Sequence, residues 1–335
     1  SELVSKNRAS FLVMGPLLAR FGQASSCPPG GDVLGQRPID VHLAGFIALG
    51  AEVSRQDDKY LARAASLNGT TIFMDYPSHI GTENLLMAAT MAKGKTVIKN
   101  ASSEPEVASL AQVLNQMGAR ISGAGTSTIE IEGVPSLGAF HHRLIPDRLE
   151  AGTFAIAAAL AGGRVTLTSV CCGHLDSLLW KLKEAGAQVA AEGDCLTIAS
   201  SPLRATNIQA LPYPGFATDL QPTMGVLLTQ AQGVSVIQER VYENRFLYVG
   251  ELRKMGAEVM VAGQLALVSG PTPLIGTPVK ALDIRSGAAL VLAGLVARGT
   301  TEISDVYHLD RGYERLEEKL QGLGAHIRRE GSGQS

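Results

Sequence analysis

The sequence has few aromatic residues and no long apolar segment. Aromatic side chains make up 5% of the 335 residues, and there is one tryptophan. The longest apolar stretches, residues 151–163 and 287–297, are shorter than the roughly 20 residues that cross a bilayer. We therefore expect no membrane span, and a core built mainly from Ala, Val, Ile and Leu.

The sequence also lacks an excess of charge and a cysteine framework. Its 29 basic and 31 acidic residues give a net charge of -2, with no basic run that would bind nucleic acid. The four cysteines, Cys27, Cys171, Cys172 and Cys195, have no CxxC spacing. We expect reduced thiols, a cytoplasmic location and no metal site.

A short glycine-centred signature recurs along the chain. Leu, Met or Ala precedes each glycine, Ala follows it, and Val or Ile stands two residues further on. These glycines lie 68 to 70 residues apart, at Gly50, Gly118, Gly186, Gly256 and Gly324. A second series lies between them, at Gly22, Gly94, Gly163, Gly233 and Gly299. Each glycine follows a helical pattern and precedes a strand pattern, so we predict that it caps the helix.

The two glycine series divide the chain into modules of about 69 residues. Each module holds two helices and several strands, which predicts an α/β fold of repeated βαβαββ units. Five units are visible, whereas a protein with two lobes would hold an even number. We therefore expect a sixth unit before Ser1, and lobes that span residues 1–145 and 146–335.

Polar residues are concentrated at the predicted helix starts. Glu104 with Glu106 and His174 with Asp176 are examples. Helix N-termini offer N–H groups and partial positive charge, so a set of them predicts a cleft that binds phosphate or carboxylate groups. A structural role fits some of these residues equally well. Glu104 and Glu106 would equally be expected if they served only to complement a helix dipole. His174 and Asp176 are better explained as helix-capping residues.

Several segments match a known family in one order along the whole chain. They are Arg8-Ala-Ser, the loop from Pro29 to His42, Glu104-Pro-Glu, the stretch from Pro146 to Thr153, Thr218-Asp-Leu-Gln, Glu243-Asn-Arg-Phe, and the stretch from Tyr307 to Arg315. Together they resemble the UDP-N-acetylglucosamine 1-carboxyvinyltransferases. The resemblance implies a two-lobed inside-out α/β barrel of six βαβαββ units, of which about five are present here.

The resemblance also implies a reaction and its substrates. The enolpyruvyl group of phosphoenolpyruvate would move to the 3'-hydroxyl of UDP-N-acetylglucosamine by addition and elimination, releasing phosphate in the first committed step of peptidoglycan synthesis. No cofactor or metal, no nucleic acid and no membrane is implied. Roles in cell-wall biogenesis, cell shape, the cell cycle and cell division follow from that step.

The family's functional positions map onto named residues of this sequence. By resemblance Asp32 is the proton donor, Asp219 is the base, and Arg37, Arg285 and Arg311 hold the carboxylate and phosphate groups. The positions that resemble contacts to the nucleotide sugar are Arg8, Arg37, Pro38, Ile39, Asp40, Val41, Pro77, Ser78, His79, Ile80, Asp219 and Val241.

The sequence departs from the family at the proton donor. Most members carry Cys where this chain has Asp32, and a carboxyl group with an ordinary pKa near 3.9 donates a proton at neutral pH only if its surroundings raise that pKa. The dianionic phosphoenolpyruvate would act in that direction. A carboxylate is also a poorer nucleophile than a thiolate toward an epoxide. The resemblance therefore implies resistance to fosfomycin, which alkylates the usual Cys.

A second departure lies at the N-terminus. The Lys-Asn pair with which the family contacts phosphoenolpyruvate has no counterpart, because the sequence begins after it. We therefore expect a restored N-terminus to be needed for activity. Two alternatives remain open: a non-catalytic paralogue that binds UDP-N-acetylglucosamine, and the shikimate-pathway enolpyruvyl transferase. The second is disfavoured because its Gly-Asn-Ala-Gly-Thr segment is absent from the sequence.

Overall fold

The computed structural model describes residues 8–31, 34–35 and 39–331. These residues form two compact units, which we describe separately. Unit one contains residues 8–31 and 39–145, and unit two contains residues 34–35 and 146–331. Within the described residues no helix is long and apolar enough to cross a membrane.

Unit one is built from four α-helices and seven strands among its described residues. The helices are α1 (Met14–Phe21), α2 (Asp40–Ala48), α3 (His79–Ala89) and α4 (Pro105–Gln116). The strands are β1 (Gln23–Ser26), β2 (Glu52–Gln56), β3 (Lys59–Arg63), β4 (Thr71–Phe73), β5 (Lys95–Lys99), β6 (Arg120–Ser122) and β7 (Thr128–Glu132). The sheets have the strand orders β1-β3-β2 and β4-β5-β7-β6, and only β4 and β5 run parallel.

Unit two is also built from alternating helices and strands, and it has more of them. Its helices are α5 (Arg148–Ala161), α6 (Asp176–Glu184), α7 (Gln221–Thr229), α8 (Tyr248–Lys254), α9 (Ile284–Val296), α10 (Tyr307–Asp310) and α11 (Leu316–Gly322). Its strands are β8 (Arg164–Leu167), β9 (Gln188–Glu192), β10 (Cys195–Ala199), β11 (Ile208–Ala210), β12 (Gly233–Glu239), β13 (Glu258–Ala262), β14 (Leu265–Gly270), β15 (Pro278–Lys280) and β16 (Glu302–Ser304). They form sheets of order β8-β10-β9, β11-β12-β14-β13 and β15-β16.

The predicted α/β fold of repeated modules is confirmed. A complete βαβαββ module runs from β4 to β7 through α3 and α4, and another runs from β11 to β14 through α7 and α8. In both, the first two strands are parallel and the last two complete a four-stranded sheet. The other three modules are partial among the described residues.

Two helices of unit two, α7 and α9, lie in its interior. In α7 all nine residues are buried, from Gln221 to Thr229, and α9 is buried from Ser286 to Ala293. Such helices are apolar all round because they contact neighbours on every side. Small residues permit the contact. Gly225 in α7, for example, leaves room for the Tyr248 hydroxyl of α8.

The glycines of the first series occupy the predicted helix ends, because each directly follows the C-cap residue of a helix. In the second series Gly22 caps α1, whereas the other four lie two to five residues after the last helical residue, and Gly233 is the first residue of β12. All ten glycines have positive φ, between 70° and 113°. At Gly118, φ is 101° and no atom lies within 4 Å of where a Cβ would stand. Glycine is required there by the backbone conformation rather than by packing, because side-chain-bearing residues rarely adopt this region.

We expect Gly118→Ala to lower the free energy of unfolding by about 1–2 kcal/mol, because alanine is strained at that φ. The matched control is Gly250→Ala. It also faces open space, but it lies within α8 and its φ is not in the positive range, so it should stabilise the protein by about 0.5–1 kcal/mol. Urea denaturation of the three proteins measures both changes. Equal effects from the two substitutions would contradict the assignment of Gly118 as an obligate cap.

Candidate functional site

Three successive helix starts in unit two converge on one carboxylate. Asp219 lies in the 3-10 turn Thr218–Leu220 that leads into α7, Arg245 lies in the turn Arg245–Leu247 before α8, and Arg285 lies in the first turn of α9. Asp219 Oδ2 accepts a hydrogen bond from Arg285 Nε at 3.2 Å. Its other oxygen, Oδ1, accepts one from Arg245 Nη2. The carboxylate is thus held between two guanidinium groups.

The two arginines determine the charge state of Asp219. Burial by itself would raise the pKa of this carboxyl group, but the positive charges and hydrogen bonds of Arg285 and Arg245 outweigh it. The pKa of Asp219 is therefore held well below its usual range. Within this contact Asp219 is a firmly ionised carboxylate and a weak base.

Arg245 is almost completely buried, with 2% of its surface exposed. Its Nε donates to the Thr218 carbonyl oxygen and to Thr218 Oγ1, both at 3.1 Å. Its Nη1 lies 3.9 Å from Asp283 Oδ1, and its guanidinium group lies 5.3 Å from the centre of the Tyr242 ring. A buried guanidinium group needs such partners, since an unpaired buried charge is costly.

Asp283 holds the start of α9 in place. Its side chain accepts hydrogen bonds from the backbone N–H of Arg285 at 2.8 Å and of Ser286 at 3.0 Å, and Ser286 Oγ accepts from the Asp283 N–H at 2.8 Å. This is a capping box, with Ser at the third helical position. It fixes the residue from which the Arg285 side chain extends toward Asp219.

Arg285 keeps one donor unpaired. Among the described residues, its buried Nη1 atom has no hydrogen-bond partner. The guanidinium group lies 5.3 Å from the centre of the Tyr313 ring, and Gly312 approaches the same Nη1 atom closely, so that a Cβ there would be 3.8 Å away. Arg311 precedes this glycine and is exposed. The structure thus places Asp219 and Arg285 in contact. Arg311 lies in the segment that packs beside Arg285.

Part of the predicted acid-bearing loop is described in unit two. The Leu34 carbonyl accepts a hydrogen bond from the Asn244 N–H at 3.0 Å, and the Leu34 side chain is buried. Gly35 follows with φ of 139° and lies against Glu243. The predicted acid Asp32 lies outside the described residues, as do Arg37 and Pro38, and the side chain of Arg8 is not described.

Val241 lies in the turn that follows β12. Its backbone N–H donates to Oε1 of Glu239, the last residue of that strand, at 2.7 Å. The N–H of Tyr242 donates to the same oxygen at 3.2 Å. The predicted nucleotide-sugar contact at Val241 is therefore connected through Glu239 to the interior of the unit.

The remaining predicted contacts lie in unit one, at the starts of α2 and α3. Ile39 precedes α2 and packs against the core with Val41, while Asp40 is exposed in its first turn. Pro77 and Ser78 precede α3, and Ser78 Oγ caps it by accepting from the Gly81 N–H at 3.1 Å. His79 and Ile80 begin the helix.

His79 is surrounded by three carboxylates. Its Nε2 lies 3.1 Å from Glu83 Oε1, and its Nδ1 lies 3.5 Å from Glu104 Oε2. Burial would lower the pKa of His79, but Glu83, Glu104 and Glu106 outweigh it and raise the pKa above its usual value. A protonated His79 would bring a positive charge to the start of α3.

The same cluster has the residue types of a metal site. The ligand atoms of His79, Glu104 and Glu106 lie within 4.8 Å of one another. Glu104 precedes α4 and Glu106 lies in its first turn, where the helix dipole favours carboxylates and disfavours a cation. The helix start thus accounts for these two acids without a metal, which is the structural role that the sequence left open.

Two residues of the unit-two cluster were missed by sequence reasoning. The motif Glu243-Asn-Arg was noted, but Arg245 was not given a role, and Asp283 was not singled out. Their positions in the sequence could have indicated a role, because Arg245 and Asp283 stand at predicted helix starts, as Asp219 and Arg285 do. Their burial could not be read from the sequence.

Comparison with known proteins decides the family. Residues 1–320 match the family model described as EPSP synthase (3-phosphoshikimate 1-carboxyvinyltransferase). The UDP-N-acetylglucosamine 1-carboxyvinyltransferase 1 of Caldanaerobacter subterraneus subsp. tengcongensis is 52% identical over 329 residues, which are 98% of this chain and 79% of that protein. The Myxococcus xanthus protein named UDP-N-acetylglucosamine 1-carboxyvinyltransferase is 51% identical with the same coverage. The chain belongs to the 1-carboxyvinyltransferase, or enolpyruvyl transferase, family.

Solved structures agree with this family. The enolpyruvyl transferase NikO from Streptomyces tendae superposes with a TM-score of 0.84 at 29% identity, over 95% of this chain and 76% of that one. An EPSP synthase from Acinetobacter baumannii has a TM-score of 0.70 at 18% identity, over 92% of this chain and 75% of that one, and supports the fold alone. Both confirm the predicted fold class of this enolpyruvyl transferase.

The raised pKa of His79 predicts a pH-dependent contribution to stability. A group whose pKa rises on folding stabilises the protein fully below its unfolded pKa, which is about 6.5 for histidine, and loses that contribution as the pH rises through the folded pKa. We expect His79→Gln to destabilise the protein at pH 6 and to have a smaller effect at pH 9. Chemical denaturation at both pH values measures this, with the exposed His141→Gln as control. A constant difference across the range would exclude the charged imidazole.

Proposed function

We propose that this enolpyruvyl transferase moves the enolpyruvyl group of phosphoenolpyruvate to the 3'-hydroxyl of UDP-N-acetylglucosamine and releases phosphate. The observation that carries the proposal is the carboxylate of Asp219 held between Arg245 and Arg285. The relatives at about 50% identity over 98% of the chain bear the name of this activity. The reaction needs a base, an acid and fixed positive charge.

Asp219 is proposed as the base that accepts the proton of the sugar hydroxyl. Its contacts with two guanidinium groups make it a weak base in the absence of substrate. Phosphoenolpyruvate carries a carboxylate and a phosphate, which would compete with Asp219 for Arg285. When the guanidinium group of Arg285 turns to the donor, the pKa of Asp219 rises and its proton affinity increases, while the buried Arg245 keeps its contact with Asp219.

Arg285 is proposed to bind an anionic group of the donor. Its buried Nη1 has no hydrogen-bond partner among the described residues, and a buried unsatisfied donor costs about 1–3 kcal/mol. A carboxylate or phosphate oxygen would relieve that cost and would form a charge-assisted hydrogen bond. Arg311, in the segment next to Arg285, and Arg37 are proposed to complete the clamp.

Asp32 is proposed to protonate the methylene carbon of phosphoenolpyruvate. Protonation converts the methylene carbon to a methyl group and makes the neighbouring carbon electrophilic, and the sugar oxygen adds to that carbon as its proton passes to Asp219. The tetrahedral intermediate then expels phosphate while the methyl group loses a proton, which restores the vinyl double bond. In unit one, His79, Ser78 and the starts of α2 and α3 are proposed to contact the nucleotide sugar. A protonated His79 would suit its diphosphate.

The proposed reaction places the protein at the first committed step of peptidoglycan synthesis, in the cytoplasm. Cell-wall biogenesis, cell shape and cell division would then depend on it. The curated relatives support the transferase activity and the peptidoglycan branch. The shikimate branch is disfavoured, because the relatives at 52% and 51% identity carry the UDP-N-acetylglucosamine name.

The proposal predicts that Asp219→Asn lowers kcat by about 10²-fold to 10⁴-fold, the usual contribution of a general base. Phosphate release with phosphoenolpyruvate and UDP-N-acetylglucosamine measures it. The control is Asp176→Asn, which removes an exposed acid at the start of α6 and should leave kcat unchanged.

The same assay separates the alternatives. Binding of UDP-N-acetylglucosamine without phosphate release, both by this chain and by one extended at its N-terminus with the family's Lys-Asn pair, would indicate the non-catalytic paralogue. Phosphate release with shikimate 3-phosphate but not with the nucleotide sugar would indicate the other branch. Full activity of Asp219→Asn would contradict the proposal that Asp219 is the base.

The identity of residue 32 predicts the response to fosfomycin. We expect no time-dependent inactivation of the wild-type protein, because the carboxylate of Asp32 is a poor nucleophile toward the epoxide. Asp32→Cys should be inactivated and should gain the mass of the drug at that residue, because its thiolate is the better nucleophile. Intact-protein mass spectrometry checks both. Covalent addition at Asp32 itself would contradict this reasoning.

A further inference from the structure

Glu239 is a buried carboxylate that has no role in the proposed reaction. It is the last residue of β12 and has no exposed surface. A buried carboxylate is tolerated only when hydrogen-bond donors surround it. The identity of those donors therefore indicates what Glu239 holds together.

The donors come from two turns of unit two. Oε1 accepts from the backbone N–H groups of Val241 at 2.7 Å and Tyr242 at 3.2 Å. Oε2 accepts from the Thr218 hydroxyl at 3.0 Å. Thr218 directly precedes the proposed base Asp219, and Val241 is a proposed nucleotide-sugar contact. One carboxylate thus connects the turn that carries the base with a turn proposed to touch the substrate.

The link continues from Thr218 to Asp219 through Arg245. Thr218 Oγ1 accepts from Arg245 Nε at 3.1 Å while it donates to Glu239, and Arg245 also donates to Asp219. A guanidinium group only donates, so Thr218 Oγ1 must accept from Arg245 and direct its hydroxyl proton to Glu239. The chain of hydrogen bonds has a fixed direction from Arg245 to Glu239.

We infer that Glu239 is a positioning residue, which sets the geometry of Asp219 relative to the Val241 backbone through Thr218 and Arg245. The inference rests on the proposed function, because it assigns Glu239 a role in placing the base of that reaction. Misplacement of a reacting group by about 1 Å can cost about 10²-fold in rate. Glu239 therefore acts without touching substrate.

The conservative substitution Glu239→Gln preserves the shape of the side chain but disturbs the direction of the hydrogen bonds that run from Arg245 through Thr218 to residue 239. An amide that keeps its oxygen toward Val241 and Tyr242 must present its NH2 group to Thr218, so the Thr218 hydroxyl loses its acceptor. We expect kcat to fall by about 10²-fold while the KM for phosphoenolpyruvate stays within about twofold, measured by phosphate release. The control is Gln238→Ala on the same strand, whose side chain contacts Gln209, and it should keep the wild-type kcat.

Substitutions of Thr218 distinguish positioning from a merely structural role. Thr218→Ser retains the hydroxyl and should retain kcat, whereas Thr218→Val should lose as much as Glu239→Gln. The double variant should be no slower than either single one, because both interrupt the same chain. Loss of stability with an unchanged kcat in Glu239→Gln and Thr218→Val would overturn the inference.

A second measurement does not require turnover. Amide hydrogen exchange at Val241 and Tyr242 should accelerate several-fold in Thr218→Val relative to Gln238→Ala, if Glu239 couples the two turns. If neither this chain nor one extended at its N-terminus releases phosphate, the proposed function fails, and accelerated exchange would still support the coupling through Glu239. Unchanged exchange at both amides would overturn the inference whatever the activity.

Discussion

The ion pairs between Asp219 and its two arginines are the interaction on which the rest of the unit-two site depends. They bring together three helix starts that are far apart in the sequence, and they hold one carboxylate and two guanidinium groups in a half-buried position. A buried charge stabilises a protein only when its other hydrogen-bonding atoms are also satisfied. Thr218 accepts hydrogen bonds from Arg245 Nε, and Asp283 lies near the same guanidinium group. Among the described residues the buried Nη1 atom of Arg285 has no hydrogen-bond partner.

The repeated fold explains why this site can exist. The helices α7 and α9 are buried along most of their length, so their N-terminal ends are the places where polar side chains leave the core. Asp219, Arg245 and Arg285 each lie at a helix start. The capping box at Asp283 fixes the backbone of the first turn of α9, which carries Arg285. Helix starts provide both the partial positive charge and the fixed backbone that anion binding requires.

Much of the fold was predictable because glycine leaves a strong signal in the sequence. Gly50 and Gly118 belong to a period that marks helix ends, and the structure gives positive φ at every member of both series. The contact between Asp219 and Arg285 was indicated only by resemblance, since the two lie 66 residues apart. No local pattern could have paired them.

The residues that sequence reasoning missed share a different property. Arg245, Asp283 and Glu239 are charged and buried, and a charged residue in a polar turn is expected to be solvated. Only the three-dimensional structure shows that each is held by donors or acceptors from other segments. Asp32 is the opposite case, because its role was assigned from its place in a motif and stays a prediction.

As the proposed base, Asp219 must face the hydroxyl group that reacts. A crystal structure of the chain with UDP-N-acetylglucosamine bound tests this most directly. We predict that the 3'-hydroxyl lies within about 3 Å of an Asp219 carboxylate oxygen, the reach of a general base. A sugar bound with that hydroxyl turned away from Asp219, and with another side chain at hydrogen-bond distance, would contradict it.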